Sequence, residues 1–312
     1  MQHRIAIIDL GTNTFHLLIA EEDGHGYNII HRDRLAVKIG MGGINDGIIT
    51  ESAVQRALLA MLSFKNTIDE QGVKTTYAFG TSALRNAKNG QEVVNRIKLV
   101  TGLEINIISG DQEAEYIYFG VRAALGLGDD KNLIIDIGGG SVEFILADHD
   151  HIFWKQSFEI GAQRLLEKFQ KHDPIHPDEV KALEEYFEKS LGPLFEILEK
   201  FNPSILVGSS GTFDTFSDIF CIRHDIHKSP EEIETPLTIE GFYDIHREIL
   251  LKNREGRMLM PGMIEMRVDM IVVACALVKF LLEKHSFNRI RVSTYSLKEG
   301  VLAYLSERVK MK

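Results

Sequence analysis

The chain has 312 residues, 44% of them hydrophobic, and a formal net charge of −10 at pH 7. That length normally makes two domains with packed cores. The acidic balance argues against nucleic acid as a partner, which needs basic residues to neutralise phosphates, but a local cleft can still be positive and take a phosphate-rich substrate. The N-terminus enters a strand pattern with no basic-then-apolar leader, which argues against export. Ile271 to Leu282, the most apolar stretch, is too short for a bilayer and contains Lys279, so no membrane association is expected. Cys221 and Cys275 suggest neither a disulfide framework nor a zinc site and fit a reducing cytoplasm.

Ile5 to Ala20 reads as strand, turn, strand. Asp9 ends an apolar run, Gly11-Thr12-Asn13-Thr14 turns, and Phe15 to Ile19 continues outward. Tyr27 to Ile39 adds a strand pair before a glycine loop at Gly40 to Gly43. Thr50 to Ile68 has helical spacing with Thr50 as N-cap. A strand at Thr76 to Phe79 feeds the loop from Gly80 to Arg85. A helix over Gln91 to Thr101 and a strand over Glu104 to Ile108 follow. Ser109 to Gln112 forms a capping box that opens a helix through Leu125. Gly126 to Asp130 breaks the pattern and separates a first domain, 1–125, from a second, 126–296.

The second half restarts at Leu133 to Leu146, LIIDIGGGSVEFIL, in the same frame as the first hairpin: apolar run, Asp, apolar residue, glycine turn, hydroxyl residue. A strand at Ile152 to Ile160 precedes helices at Gln163 to Phe169 and Pro177 to Lys200. The strand Ser204 to Val207 feeds Gly208-Ser209-Ser210-Gly211-Thr212 and a short helix, and Arg223 to Pro236 is loop-like. Helices at Thr238 to Lys252 and Arg267 to Lys284, a strand at Arg289 to Ser293 and a helix at Leu297 to Lys312 complete the chain. The last helix is expected to pack back on the first domain. Strand–helix alternation of this kind predicts α/β domains with helix-covered sheets.

Two Asp-x-Gly turns in one frame suggest two similar lobes facing a phosphate between them. Glycines at 138, 139 and 140 and at 11 let backbone amides approach an anion closely, with Thr12, Asn13, Thr14 and Ser141 beside them. Asp136 and Glu143 flank the second turn seven positions apart, hence as cross-strand neighbours. Two like charges there ask for a cation between them, and oxygen ligands suit Mg²⁺. Asp136 and Glu143 are therefore the expected ligands, with Asp9 as a further one. His16 stands opposite Asp9 and is expected to orient it. Gly208, Ser209, Gly211 and Thr212 form a third candidate phosphate cradle. By position, Glu113 is simply a carboxylate favoured by its helix dipole. Arg85 has the fork that phosphate oxygens accept, although a lone loop arginine is usually just solvated, and Arg267, opening a helix after Met260-Pro261-Gly262, is uninformative by itself. Phe195, Ile197, Leu198 and the Ile271 helix offer apolar surface either for a homodimer or for a core.

Five segments carry a family resemblance: IAIIDLGTNTFHLLIAE, FGTSALRNAKN, IISGDQEAEYIYFGV, LIIDIGGGSVEFILAD, and VGSSGT with STYSLKEGVLAY. Together they resemble the exopolyphosphatase / guanosine pentaphosphate phosphohydrolase (Ppx/GppA) family of the actin and sugar-kinase superfamily. The resemblance implies two ribonuclease-H-like lobes, each a mixed sheet flanked by helices, with the active site in the cleft. It implies Mg²⁺-assisted hydrolysis of terminal phosphate from inorganic polyphosphate or guanosine pentaphosphate. It also makes Glu113 the activator of the attacking water, overriding its positional reading, and assigns Arg85, Ser141 and Arg267 to substrate. Gln112 departs from the family, where many relatives carry a second Glu. The chain ends after the Leu-Lys-Glu-Gly helix, so the C-terminal helical domain of longer relatives is expected to be absent. An ATP-dependent phosphotransferase and a non-catalytic alarmone sensor are the alternatives.

Overall fold

The computed structural model describes residues 3–24, 26–229 and 231–310. The first lobe contains β1 (Arg4–Leu10), β2 (Thr14–Glu22), β3 (Tyr27–Ala36), α1 (Glu51–Glu70), β4 (Thr75–Gly80), α2 (Ser82–Asn86), α3 (Gly90–Thr101) and β5 (Ile105–Ile107). Next comes α4 (Gly110–Leu125). The second lobe contains β6 (Asn132–Ile137), β7 (Val142–Ala147), β8 (Ile152–Phe158), α5 (Ala162–Phe169), α6 (Pro177–Ser190), α7 (Gly192–Phe201), β9 (Ile205–Ser209) and α8 (Ser210–Arg223). It continues with β10 (Glu234–Thr235), α9 (Ile239–Leu251), α10 (Arg254–Met258), α11 (Ile271–Lys284) and β11 (Arg289–Ser293), and α12 (Leu297–Lys310) ends the described chain.

The sheets repeat one plan. In the first, the order is β3-β2-β1-β4-β5; in the second it is β8-β7-β6-β9-β11, with β10 added at the edge. In each, an antiparallel meander opens the sheet and its first strand then pairs in parallel with a later one. Because side chains alternate across a strand, each central strand feeds two cores. Ala6, Ile8 and Leu10 of β1 face α1 and α3, whereas Ile5 and Ile7 face the other way. Leu133, Ile135 and Ile137 of β6 face the helices of the second lobe, and Ile134 faces back.

Ile5, Ile7 and Ile134 belong to one shared apolar cluster with Ile117 and Val121 of α4 and Val301 of α12. Those two helices therefore form a middle layer between the sheets, and α12 packs on α4 and β1. Their crossing is close because it runs through glycines. A Cβ on Gly300 would overlap the Tyr116 carbonyl, and one on Gly120 would overlap the Ser296 carbonyl.

Several details differ from the sequence expectation. The helix read over Pro177 to Lys200 is two helices, broken at Leu191; Pro193 near the start of α7 has no N–H to continue the earlier ladder. Arg267 does not open a helix but sits in the turn before α11. Of the apolar residues considered for a dimer, Leu198 and Ile271 lie in the second-lobe core with Phe195 packed against it, while Ile197 is half-buried outside that cluster. Residues 311 and 312 of the predicted last helix lie outside the described residues. No described helix is long and apolar enough to cross a membrane.

Candidate active site

Both hairpins pair in the expected register, Asp9 opposite His16 and Asp136 opposite Glu143. Their turns meet. A Cβ on Gly139 would overlap the Asn13 side chain, and one on Gly140 would lie 2.5 Å from both Thr12 Oγ1 and Ser82 Oγ. Only glycine admits so close an approach. Between the turns lies a cavity of about 80 Å³, lined by Asp9, Gly11 to Thr14, His16, Thr81, Ser82, Glu113, Asp136, Gly138 to Ser141, Glu143, Ser210, Arg267, Ser296 and others.

The turn carbonyls are drawn outward by amides behind them. Gly138 O accepts from Ala162 N (2.9 Å), Gly139 O from Gln163 N (2.8 Å) and Gly140 O from Gly161 N (3.2 Å). In the first turn, Thr12 O accepts from Gly40 N (3.1 Å) and Asn13 O from Lys38 N (2.8 Å). Among the described residues, the Gly139 and Gly140 amides make no backbone hydrogen bond. Such bared N–H groups are what an anion takes. The starts of α8 and α12 add Ser210, Ser296 and Leu297 to the lining, and helix N-termini favour negative charge. Ser210 adopts φ 73°, uncommon for a non-glycine residue, where β9 passes directly into α8.

Carboxylates ring the same cavity. Burial pushes Asp9 up to about 7, with Lys298 opposing and Asp136 adding to the rise. Burial also lifts Asp136 to about 6 against bonds from Ser209 and Ser210. Glu143 is raised by burial and by Asp136, although Ser141 Oγ (2.6 Å) and Ser157 Oγ (2.7 Å) both donate to its Oε1. Glu113 is held well above the usual carboxylate range by burial first and Glu143 second; Arg85 pulls the other way. Asp9 Oδ1, Asn13 Oδ1 and Arg267 Nε are buried with no hydrogen-bond partner. Orphaned polar atoms of this kind are costly unless a ligand satisfies them. No bond reaches Asp9 Oδ1 from His16, so the expected orienting contact is not made at that atom. Burial, Lys298 and Arg267 instead keep His16 well below its ordinary value, hence neutral.

Other assignments are placed differently. Arg85 does not line the cavity; its Nη1 donates to Glu113 Oε2 at 2.7 Å and to Ile108 O at 3.2 Å. In the third glycine turn only Ser210 reaches the lining. Gly208 packs on Phe213 and Gly211 on the Arg267 guanidinium, Ser209 Oγ donates to Asp136 Oδ2 (3.2 Å), and Thr212 Oγ1 to Ile137 O (3.5 Å). Gln112 completes the capping box on Ser109 rather than reaching the cavity. Sequence reasoning missed Ser82, Glu159, Arg164 and Lys298; each arrives from a distant element, and no local motif marks it.

Mg²⁺ fits this donor set. Among the described residues no three His, Cys, Asp or Glu side chains hold a metal by themselves, but Mg²⁺ commonly takes one or two carboxylates and completes its shell with substrate phosphates. The orphaned Asp9 oxygen and the mutual repulsion of Asp9, Asp136 and Glu143 are what a divalent cation relieves. A sign follows for stability. Folded-state pKa values near 6 and 7, against an ordinary Asp value of about 4, mean that the folded chain binds more protons than the unfolded one. In chelator, the melting temperature should therefore fall as pH rises from about 4 to about 7, and Mg²⁺ should recover it most above that window. Thermal melts with and without Mg²⁺ check this; equal gains at both ends of the window would count against metal at these acids.

Two matched turn-and-carboxylate halves, each on the first hairpin of a repeated sheet, define a two-lobed, actin-like α/β protein with a cleft lined by glycine turns and carboxylates. The chain belongs to the Ppx/GppA phosphatase family, which it matches over residues 18–308. It is similar to the crystal structure of an exopolyphosphatase from Cytophaga hutchinsonii, at 41% identity and TM-score 0.95 over 98% of each chain. It is 24% identical over 301 residues to Exopolyphosphatase 1 of Mycobacterium tuberculosis, covering 96% of this chain and 87% of that one. To the guanosine-5'-triphosphate,3'-diphosphate pyrophosphatase of Pseudoalteromonas translucida it is 26% identical over 297 residues, 95% of this chain and 58% of that protein.

Proposed function

We propose that the chain is a phosphoanhydride hydrolase of the exopolyphosphatase type, releasing terminal orthophosphate from inorganic polyphosphate. The observation that carries this reading is the meeting of the two glycine turns over a cavity into which Glu113 also points. The amides of the turns hold the terminal phosphate from two sides. Glu113 takes a proton from water as its oxygen bonds to the terminal phosphorus; the bridging P–O bond breaks and its electron pair leaves with the shortened chain. Arg85 favours the ionised form of Glu113 against burial and Glu143. Arg267, with an unpartnered Nε, is free to meet substrate oxygens. Asp136 and Glu143, with Asp9 alongside, would hold Mg²⁺, which offsets charge on the phosphate oxygens. Two free, buried thiols suit a reducing cytoplasm.

Guanosine pentaphosphate is the second reading. A larger cavity, about 890 Å³, adjoins the first at His16 and offers Arg32, Arg34, Lys228 and Lys298 among six acids that include Asp33, Asp214 and Asp218. A continuous phosphate chain would be repelled by those acids, whereas a nucleoside brings hydrogen-bond donors to them. Phosphate release from short polyphosphate, long polyphosphate, guanosine pentaphosphate and ATP, measured side by side, decides among the substrates. Release from none of them would overturn the hydrolase. Asp136→Asn is expected to raise the Mg²⁺ concentration needed for half-maximal activity, and an unshifted Mg²⁺ titration would remove Asp136 from the metal.

A further inference from the structure

The cleft is closed on one side by a carboxylate that the reaction does not use. Glu159 follows β8 in the second lobe and accepts from Ser82 Oγ at 2.7 Å and Arg85 Nη2 at 3.3 Å, both on the first lobe. From its own lobe it accepts from Arg164 Nη2 at 3.2 Å. The arginines are mostly enclosed, with side chains 17% and 14% exposed, and Glu159 is 41% exposed. Each arginine makes further bonds besides the one to Glu159. Arg164 Nε binds Gly140 O (2.8 Å) and its Nη1 binds Ile44 O (2.8 Å) across the cleft. Arg85 Nη1 binds Glu113 and Ile108 O.

An unbroken chain of polar contacts thus runs from the Gly140 turn through Arg164, Glu159 and Arg85 to Glu113. We propose that Glu159 is a positioning residue, the link that fixes the distance between the water-activating carboxylate and the turn that holds the phosphate. This rests on the hydrolase reading for its catalytic half; the mechanical half stands apart from it. An isolated exposed ion pair contributes little. A carboxylate that joins two mostly enclosed arginines across two lobes, each bonded elsewhere as well, acts instead on geometry, and small displacements at a reacting centre cost rate far more than binding.

The test uses the intact chain with Glu159→Ala. Turnover on the best substrate should fall by about 10- to 100-fold, with KM nearly unchanged. Amide exchange in α2 should quicken while α11 keeps its protection. Native turnover, or a loss confined to KM, overturns the positioning role. Unchanged exchange in α2 overturns the link whatever the activity. Should the wild-type chain release phosphate from no substrate, the hydrolase reading fails and the exchange comparison still decides the link. If the alanine variant does not fold, Glu159→Gln keeps the size and one acceptor for Ser82, removes the ion pairs and is read by the same outcomes.

Discussion

Glu113→Gln is expected to lower turnover by about 10²–10⁴-fold, the usual range for a general base. The amide still accepts from Arg85 Nη1, so the α4 start and the cavity wall keep their shape; what is lost is the place for the water proton. Substrate affinity should hardly move, because the turn amides and Arg267 remain. The wild-type pH profile belongs to the same expectation. A base whose pKa is raised by burial and by Glu143 is ionised only above the ordinary carboxylate range, so the rate should climb with pH through that higher region. Steady-state phosphate release measures both effects. A variant turning over at the native rate would take the role from Glu113.

Gly300→Ala tests the architecture instead of the chemistry. In an exposed helix the change would gain about 1 kcal/mol from propensity. Here the new methyl has nowhere to go, since it would overlap the Tyr116 carbonyl and lie 2.9 Å from Gly120 N. Overpacking typically costs about 1–3 kcal/mol and sometimes more, and the two helices it would separate also hold the interlobe cluster. A net loss of about 2 kcal/mol, several degrees in melting temperature for a chain of this size, is expected in a thermal melt. A melting temperature equal to the wild type would mean that α4 and α12 can part without cost.

The parts of the site that depend on local periodicity were legible in the sequence. A spacing of seven positions from Asp136 to Glu143, in an alternating apolar pattern, fixes them as cross-strand partners, and the same arithmetic pairs Asp9 with His16. Ser109 and Gln112 signalled the start of α4 for the same reason. The break near Leu191 was also written locally, in Gly192 and Pro193, but the flanking helical spacing obscured it. What distance in sequence hides is different in kind. Arg85 reads as a free loop cation until Glu113, 28 positions on, is seen to hold it. Glu159 carries no motif, and its meaning comes from Ser82, 77 positions away. The third glycine turn shows the converse: its composition suits a phosphate, but Phe213 and Arg267 occupy the space that Gly208 and Gly211 leave.

Gly126 to Asp130 reads as a seam in the sequence, but the apolar layer crossing it is made by strands from both sides with α4 and α12 between them. Severing the chain there would not free two self-sufficient proteins. Each fragment would bare a face built to be covered by the other, and the pieces would stay married until denaturant drew them apart.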